Sequence, residues 1–253
     1  MASNPPGDCC RHGSLHEGTP SGKDFTIHDG KIDAYLAEAP ADKAKKGCAI
    51  LYLPDVIGLW QNSRLMADTF AKEGYTTLII DLFNKDPVSL SHQPGFDFFS
   101  WLSQGSDGKN PHTAEYVDPI VVAGINALKE MGYNRIGAVA YCFGAKYLCR
   151  HYKDGIDVGY CAHPSFVEED ELASITGPLS ISAAQTDSIF PAEKRHRSEE
   201  ILIKTGLPFQ INLLSGVDHG YAVRCDLTSK LQKFSKETAF AQAVSWFNEY
   251  LSE

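Results

Sequence analysis

Short apolar runs alternate with stretches of helical periodicity along most of the chain. The runs are almost entirely apolar, as strands are when both faces of a sheet are covered. They occupy residues 48–53, 76–80, 135–140, 158–161, 179–184 and 209–214. Strands of this kind predict a mostly parallel sheet.

Apolar positions with helical spacing lie between these runs. They are Leu65, Met66 and Phe70, then Val117, Val121, Ile125 and Leu128, and finally Phe240, Val244, Phe247 and Leu251. Helices interleaved with parallel strands cover both faces of the sheet. The pattern therefore predicts an α/β fold with a mostly parallel central sheet and helices on both faces.

Two segments of the chain depart from this alternation, one near its start and one after the run 76–80. Residues 25–28 and 32–36 are short strand-like runs joined by the turn signal Asp29-Gly30, which predicts an opening β-hairpin. Residues 84–111 have no clear period and form a candidate lid or binding loop. Residues 23–253 are expected to form a single domain.

Residues 1–22 have no apolar period, and we expect an irregular arm that is either exposed or packed against the domain. Cys9, Cys10, His12 and His16 are residue types that bind zinc, but their spacing matches no standard structural zinc signature. We therefore predict no metal in the arm.

The net charge, the hydropathy and the cysteine count of the chain argue against several classes of protein. The chain has 253 residues, 43% of them hydrophobic, and a formal net charge of -9 with basic residues spread along its length. This charge argues against a nucleic-acid partner. No apolar stretch is long enough to cross a bilayer, and the first residues are polar. With an odd number of cysteines, seven, these features predict a cytoplasmic protein that is neither secreted nor membrane-bound.

A nucleophile motif follows the apolar run 135–140. Residues 140–144 read Ala-Tyr-Cys-Phe-Gly, a cysteine version of the G-x-S-x-G elbow in which a sharp strand-to-helix turn exposes the nucleophile. Ala140 replaces the first glycine. The start of a helix also favours a thiolate. Cys142 is thus the candidate nucleophile, although most free cysteines are simply small buried hydrophobes.

A base and an acid follow the nucleophile in the chain order that this architecture uses. Asp187 comes after the run 179–184, and His219 comes after the run 209–214. Both would project from the same sheet edge as Cys142. His219 then takes the thiol proton and Asp187 orients its ring. Asp218 is the rival acid and His163 the rival base; His163 is better suited to the pocket.

An acyl-transfer site also needs two donors for an oxyanion. The expected donors are the backbone N–H groups of Phe143, just after the nucleophile, and Val56, in the loop after the run 48–53. Asp55 lies next to this pocket. Its alternative role is to cap the helix that follows.

With these motifs in order, the chain resembles the dienelactone hydrolases (carboxymethylenebutenolidases), particularly the fungal homologues, from about residue 18 to residue 253. The resemblance rests on ordered segments: Pro54-Asp55-Val56-Ile57-Gly58, Asp81-Leu82-Phe83, Tyr141-Cys142-Phe143-Gly144 and His219-Gly220-Tyr221-Ala222-Val223-Arg224. It implies an α/β-hydrolase fold, no cofactor, and a Cys142, Asp187 and His219 triad.

The same resemblance implies further roles. Asp55 stands where the family has a glutamate that helps generate the thiolate, and Arg224 looks like a family arginine that holds a substrate carboxylate. Tyr221 and His163 are candidate substrate contacts. The segment 84–111 contains no arginine, unlike the bacterial enzymes, so dienelactone itself is not the expected substrate. The aromatics Phe96, Phe98, Phe99 and Trp101 would suit a bulkier lactone or ester, unless they belong to the core.

The expected function is hydrolysis of a small ester or lactone through a thioacyl-enzyme on Cys142, by a monomer or a homodimer. Two alternatives stay open at this level: an acyl transferase that uses the same triad, and a catalytically silent protein that binds a small molecule. A nucleotide-binding α/β protein is disfavoured, because no glycine-rich phosphate motif follows a strand.

Overall fold

In the computed structural model, which describes residues 1–252, the chain folds around an eight-stranded sheet. The strands are β1 (Lys23–Ile27), β2 (Ile32–Ala37), β3 (Cys48–Leu53), β4 (Thr76–Ile80), β5 (Arg135–Tyr141), β6 (Val158–Ala162), β7 (Leu179–Thr186) and β8 (Phe209–Asp218). Their order is β1-β2-β4-β3-β5-β6-β7-β8. The pairings β1–β2 and β2–β4 are antiparallel and all others are parallel.

The helices are α1 (Gln61–Lys72), α2 (Phe98–Gln104), α3 (Ala114–Glu130), α4 (Gly144–Arg150), α5 (Glu169–Ala173), α6 (Ala192–Thr205), α7 (Tyr221–Arg224) and α8 (Lys230–Tyr250). Helices α1, α7 and α8 pack on one face of the sheet, and α3, α4, α5 and α6 pack on the other. Two apolar layers result, one on each face. The predicted α/β-hydrolase fold with a mostly parallel sheet is confirmed.

The central strands are buried because both of their faces are covered. Every residue of β3 is buried between β4 and β5, as its uninterrupted apolar run predicts. The run 209–214 differs: β8 is the edge strand beside β7, and Val217 is its only buried residue. The expectation that this run is buried on both faces is therefore wrong, because an edge strand has a neighbour on one side only.

The opening hairpin forms as predicted, with β1 paired to β2. The segment 84–111 is less irregular than its sequence suggests, since it contains α2, whose first turn is capped by the carboxylate of Asp97. Phe98 and Trp101 of α2 are buried in the core, whereas Phe99 is 81% exposed. The aromatic cluster thus contributes mainly to the core.

Residues 1–22 lie against the domain, and we call them the arm. The arm contains one short 3-10 turn, Asp8–Arg11, and buries the side chains of Ala2, Ser3, Cys10 and His16. Among the helices of residues 1–252, none combines the length and apolar character that a membrane-spanning segment needs.

Candidate active site

Cys142 lies at the corner between β5, which ends at Tyr141, and α4, which begins at Gly144. Its backbone φ is 50°, a left-handed conformation that is unusual for a residue other than glycine and typical of a nucleophile elbow. Gly144 is required here because a Cβ at that position would lie 2.2 Å from the carbonyl oxygen of Leu53. The local backbone therefore matches the predicted elbow.

The structure brings His219 and Asp187 together at the carboxyl edge of the sheet. Asp187 directly follows β7 and His219 directly follows β8. The Asp187 Oδ2 atom is 2.9 Å from Nδ1 of His219, and Oδ1 accepts hydrogen bonds from the N–H groups of Ile189 and Phe190. The rival acid Asp218 is exposed. Asp187, and not Asp218, is thus the carboxylate within hydrogen-bond distance of the His219 ring.

A residue that sequence analysis left in the arm, Cys10, lies between the nucleophile and the base. Its Sγ atom is 3.4 Å from Sγ of Cys142 and 3.5 Å from Nε2 of His219. All three ligand atoms lie within 4.8 Å of one another, and all three residues are buried. No local pattern signals this contact, because Cys10 and His219 are 209 residues apart in sequence.

The electrostatics of the cluster favour a thiolate on Cys142. Burial raises the pKa of Cys142, but hydrogen bonding from Cys10 and the charge of His219 outweigh burial and bring this pKa well below its usual range. Burial alone would lower the pKa of His219, yet the Asp187 carboxylate and the Cys142 thiolate raise it to about 10. Burial, together with the neighbouring thiols, raises the pKa of Cys10. These shifts favour a charge pair between Cys142 and His219.

Asp55 and Arg224 form a buried ion pair next to this cluster. Asp55 Oδ2 is bonded to Nη1 of Arg224, and both side chains are almost completely inaccessible to solvent. Arg224 also donates from Nε to the carbonyl oxygen of His12, at 3.0 Å, and from Nη2 to that of Cys9. Burial raises the pKa of Asp55, while Arg224 opposes this shift. In this conformation the guanidinium is engaged by the protein itself.

The two expected oxyanion donors are buried and lack an acceptor. Phe143 and Val56 are both completely inaccessible to solvent. Within residues 1–252, neither backbone N–H donates a hydrogen bond. Unpaired buried N–H groups are rare in folded proteins, so their presence beside Cys142 is informative.

His163 and Tyr221, the other expected pocket residues, line the same region. The ring of His163 stands edge-on to that of His219, with centroids 4.9 Å apart, and it lies 5.8 Å from Tyr221. Burial and the positive charge of His219 bring the pKa of His163 well below its usual value. Within the described chain, neither ring nitrogen of His163 has a hydrogen-bond partner. His163 is thus a completely buried polar side chain without a hydrogen-bond partner in the described chain.

A cleft of about 240 Å³ reaches this region from the surface. His219, Tyr221 and Arg224 line it on the domain side, and His12 and Ser14 line it on the arm side. Cys142 does not line the cleft and has no solvent-accessible surface. The arm therefore closes the nucleophile off from the cleft.

The fold and the carboxyl-edge cluster together define an enzyme of the α/β-hydrolase type. The solved structure of a Klebsiella pneumoniae protein described as a dienelactone hydrolase is similar to this fold, with a TM-score of 0.71 at 15% identity over 91% of this chain and 99% of that one. The chain belongs to the dienelactone hydrolase family, whose profile matches residues 32–251. It is therefore a hydrolase of carboxylic esters or lactones.

Two fungal relatives are similar over their whole length. One, named hydrolase pyvD, from Aspergillus violaceofuscus, is 48% identical over 100% of both chains. The other, named hydrolase tropI, from Talaromyces stipitatus, is 45% identical over 100% of both chains. The similarity includes the arm as well as the domain.

Proposed function

We propose that the protein hydrolyses a small ester or lactone through a thioacyl-enzyme on Cys142. The observation that carries the proposal is the joint geometry of three residues: a left-handed Cys142 at the elbow, with His219 nearby and Asp187 bonded to the far nitrogen of its ring. A buried thiolate beside an imidazolium is a nucleophile ready for acyl transfer.

In the acylation step, the Cys142 thiolate attacks the carbonyl carbon and a C–S bond forms. The resulting oxyanion accepts hydrogen bonds from the N–H groups of Phe143 and Val56, whose freedom from other acceptors supports this role. The C–O bond of the ester then breaks, and His219 donates its Nε2 proton to the leaving alkoxide. In a lactone this alkoxide remains attached to the acyl group.

In the deacylation step, water attacks the thioester while His219 accepts one of its protons. The C–S bond breaks, the carboxylic acid leaves, and the thiolate on Cys142 is restored. Asp187 holds the ring with Nε2 directed at the reacting atoms throughout. No cofactor enters the scheme.

Three residues are proposed to contact the substrate. His163 offers unpaired ring nitrogens, Tyr221 stands beside it, and Arg224 lies at the end of the cleft. Because Arg224 is bonded to Asp55, a substrate carboxylate would have to compete with that ion pair. A neutral lactone or ester therefore suits the site better than an acidic one. Asp55 is proposed to assist the formation of the Cys142 thiolate while it is paired with Arg224.

The decisive experiment is hydrolysis of an activated aryl ester and of a panel of neutral lactones by the purified protein. Cys142→Ala and His219→Ala should each reduce turnover by at least about 1,000-fold, because each removes a reacting group. Cys161→Ala is the matched control, since Cys161 is a buried thiol on the neighbouring strand β6. Full activity of Cys142→Ala, with no acylated Cys142 detected by mass spectrometry, would rule out the proposal.

A further inference from the structure

We propose that Cys10, Cys142 and His219 form a zinc-binding site. Tetrahedral zinc holds sulfur at about 2.3 Å and nitrogen at about 2.0–2.1 Å, which separates two sulfurs by about 3.8 Å and a sulfur and a nitrogen by about 3.5 Å. The two sulfurs here are 3.4 Å apart, and Cys10 Sγ is 3.5 Å from His219 Nε2. The third pair, Cys142 Sγ and His219 Nε2, lies within 4.8 Å. Side-chain adjustments of at most about 1.3 Å therefore bring the three atoms to the spacing that zinc requires.

The chemistry of these ligands selects the metal. Two thiolates and an imidazole suit zinc, whereas magnesium and calcium prefer oxygen ligands. Zinc with two thiolates is formally neutral, so the ion adds no net charge to a completely buried cluster. This matters beside the buried Arg224, since an uncompensated cation would be repelled by the guanidinium.

The surroundings of His219 match those of a zinc-bound histidine. A metal-binding histidine usually donates its other ring N–H to a carboxylate, which fixes the tautomer and directs the free lone pair at the metal. Asp187 accepts from Nδ1 of His219 at 2.9 Å and is itself held by two backbone N–H groups. Nε2 of His219 is therefore directed at the sulfurs.

The arm supplies the third ligand and holds it in place. Cys10 is completely buried, and its backbone N–H donates to the carbonyl oxygen of Gly7 within the arm's 3-10 turn. The Arg224 guanidinium donates to the carbonyl oxygens of Cys9 and His12, which lie before and after Cys10 in the chain. In the hydrolytic scheme Cys10 supports the Cys142 thiolate and forms no bond to the substrate, whereas in the zinc site it is a ligand.

Three protein ligands leave one coordination position open, as in sites that exchange a water or another small ligand. A zinc ion here would occupy the sulfur of Cys142, so zinc and ester would compete for the same atom. Only this competition rests on the proposed hydrolysis; the site itself rests on the ligand geometry.

The test measures zinc directly. The full-length protein, reduced with a phosphine and freed of metal, is titrated with Zn²⁺ in competition with a chromophoric chelator. One zinc per chain is expected, and Co²⁺ should give thiolate-to-metal charge-transfer absorption. Cys10→Ser should weaken zinc binding by at least about 100-fold, since it removes one of three ligands. Asp187→Asn should weaken it by about 10–100-fold.

Cys161→Ser is the matched control, because Cys161 is a buried thiol of β6 that lies outside the cluster. It should bind zinc like the wild type. Cys142→Ser gives a second, independent ligand variant, which should lose the cobalt absorption even if Cys10→Ser folds poorly. The proposal is overturned if the reduced wild type takes up no zinc, or if Cys10→Ser or Cys142→Ser binds it with unchanged affinity. None of these readouts involves hydrolysis, so a failed proposed function would leave them intact.

Discussion

At the scale of single residues, the charge on Cys142 is maintained by its neighbours. A buried thiol would normally stay protonated, because burial disfavours the charged form. Here the hydrogen bond from Cys10 and the positive charge of His219 overcome that penalty. The imidazolium in turn depends on Asp187, whose own pKa stays below its ordinary value despite burial, because of the charge on His219. The charges on Cys142, His219 and Asp187 thus stabilise one another.

This dependence predicts a broad pH profile for kcat/KM. Activity should fall at low pH where the Cys142 thiolate gains a proton, below the ordinary thiol pKa, and at high pH where His219, with a pKa of about 10, loses its proton. Asp187→Asn removes the charge that raises the His219 pKa. Its alkaline limb should therefore move to lower pH, with kcat/KM at pH 7 reduced by about 100-fold or more.

Rates measured between pH 5 and 11 with an activated ester check this, provided that each variant is shown to remain folded at both extremes. An alkaline limb that stays in place in Asp187→Asn would show that the carboxylate does not control the protonation of His219.

The proximity of Cys142, Asp187 and His219 was predictable, because each of the three residues follows a recognisable apolar run by a few positions. Asp187 and His219 come after β7 and β8, and parallel strands bring their carboxyl ends to one edge. The position of Cys10 was not predictable, since no apolar run or turn signal specifies where an irregular arm comes to rest. The Asp55–Arg224 pair was also missed, although both residues were singled out, because their contact spans 169 residues.

At the scale of elements, the arm is the part of the molecule that controls access to the sulfur. Asn62, on α1, holds the arm with several hydrogen bonds. Its Oδ1 accepts from the N–H of His16 at 2.8 Å, and its Nδ2 donates to the carbonyl oxygens of Ser14 and Val223. One side chain therefore joins the arm to two elements of the domain.

Asn62→Ala should loosen the arm and expose Cys142. Losing these bonds costs about 1–3 kcal/mol, and each 1.4 kcal/mol increases the open population about tenfold. The rate at which iodoacetamide labels Cys142, followed by peptide mass spectrometry, should increase by at least about tenfold.

Asn248→Ala is the control, because it removes a hydrogen bond from Tyr75 that does not involve the arm. Labelling as slow as in the wild type, or an equal increase in the control, would mean that the arm does not limit access.

Most elements were predictable, because their apolar runs report burial directly. The edge strand β8 is an exception, because its apolar run does not indicate burial. Its composition resembles that of the inner strands, but β7 alone pairs with it. Helix α2, within residues 84–111, was not predicted for another reason. It is shorter than the window over which helical periodicity can be recognised.

At the scale of the whole molecule, a partly buried network of charges joins three helices on one face of the sheet. Glu171 of α5 accepts from Lys146 of α4 at 2.8 Å and from Arg150 of α4 at 2.9 Å. Arg150 also pairs with Asp118 of α3. Lys146 and Glu171 are each only 8% exposed, so each charge depends on its partner.

Glu171→Gln should reduce the free energy of unfolding by about 3 kcal/mol, because it leaves the Lys146 ammonium buried without a counter-charge. Urea unfolding monitored by circular dichroism measures this loss. Glu169→Gln is the control on the same helix, since Glu169 pairs with Arg197 at the surface and should matter little. Equal urea midpoints for Glu171→Gln and Glu169→Gln would show that burial of the Lys146–Glu171 pair does not increase its contribution to stability.

The arm can reach its final position only late in translation, because its contacts are with residues that are made later. Synthesis runs from the amino to the carboxyl end, so Cys10 leaves the ribosome long before His219, its neighbour 209 positions later, has been made. Ala2 and Ser3 likewise wait for Val167, to whose carbonyl oxygen their N–H groups donate. The Cys10 thiol therefore cannot take its place in the cluster until residue 219 has emerged from the ribosome.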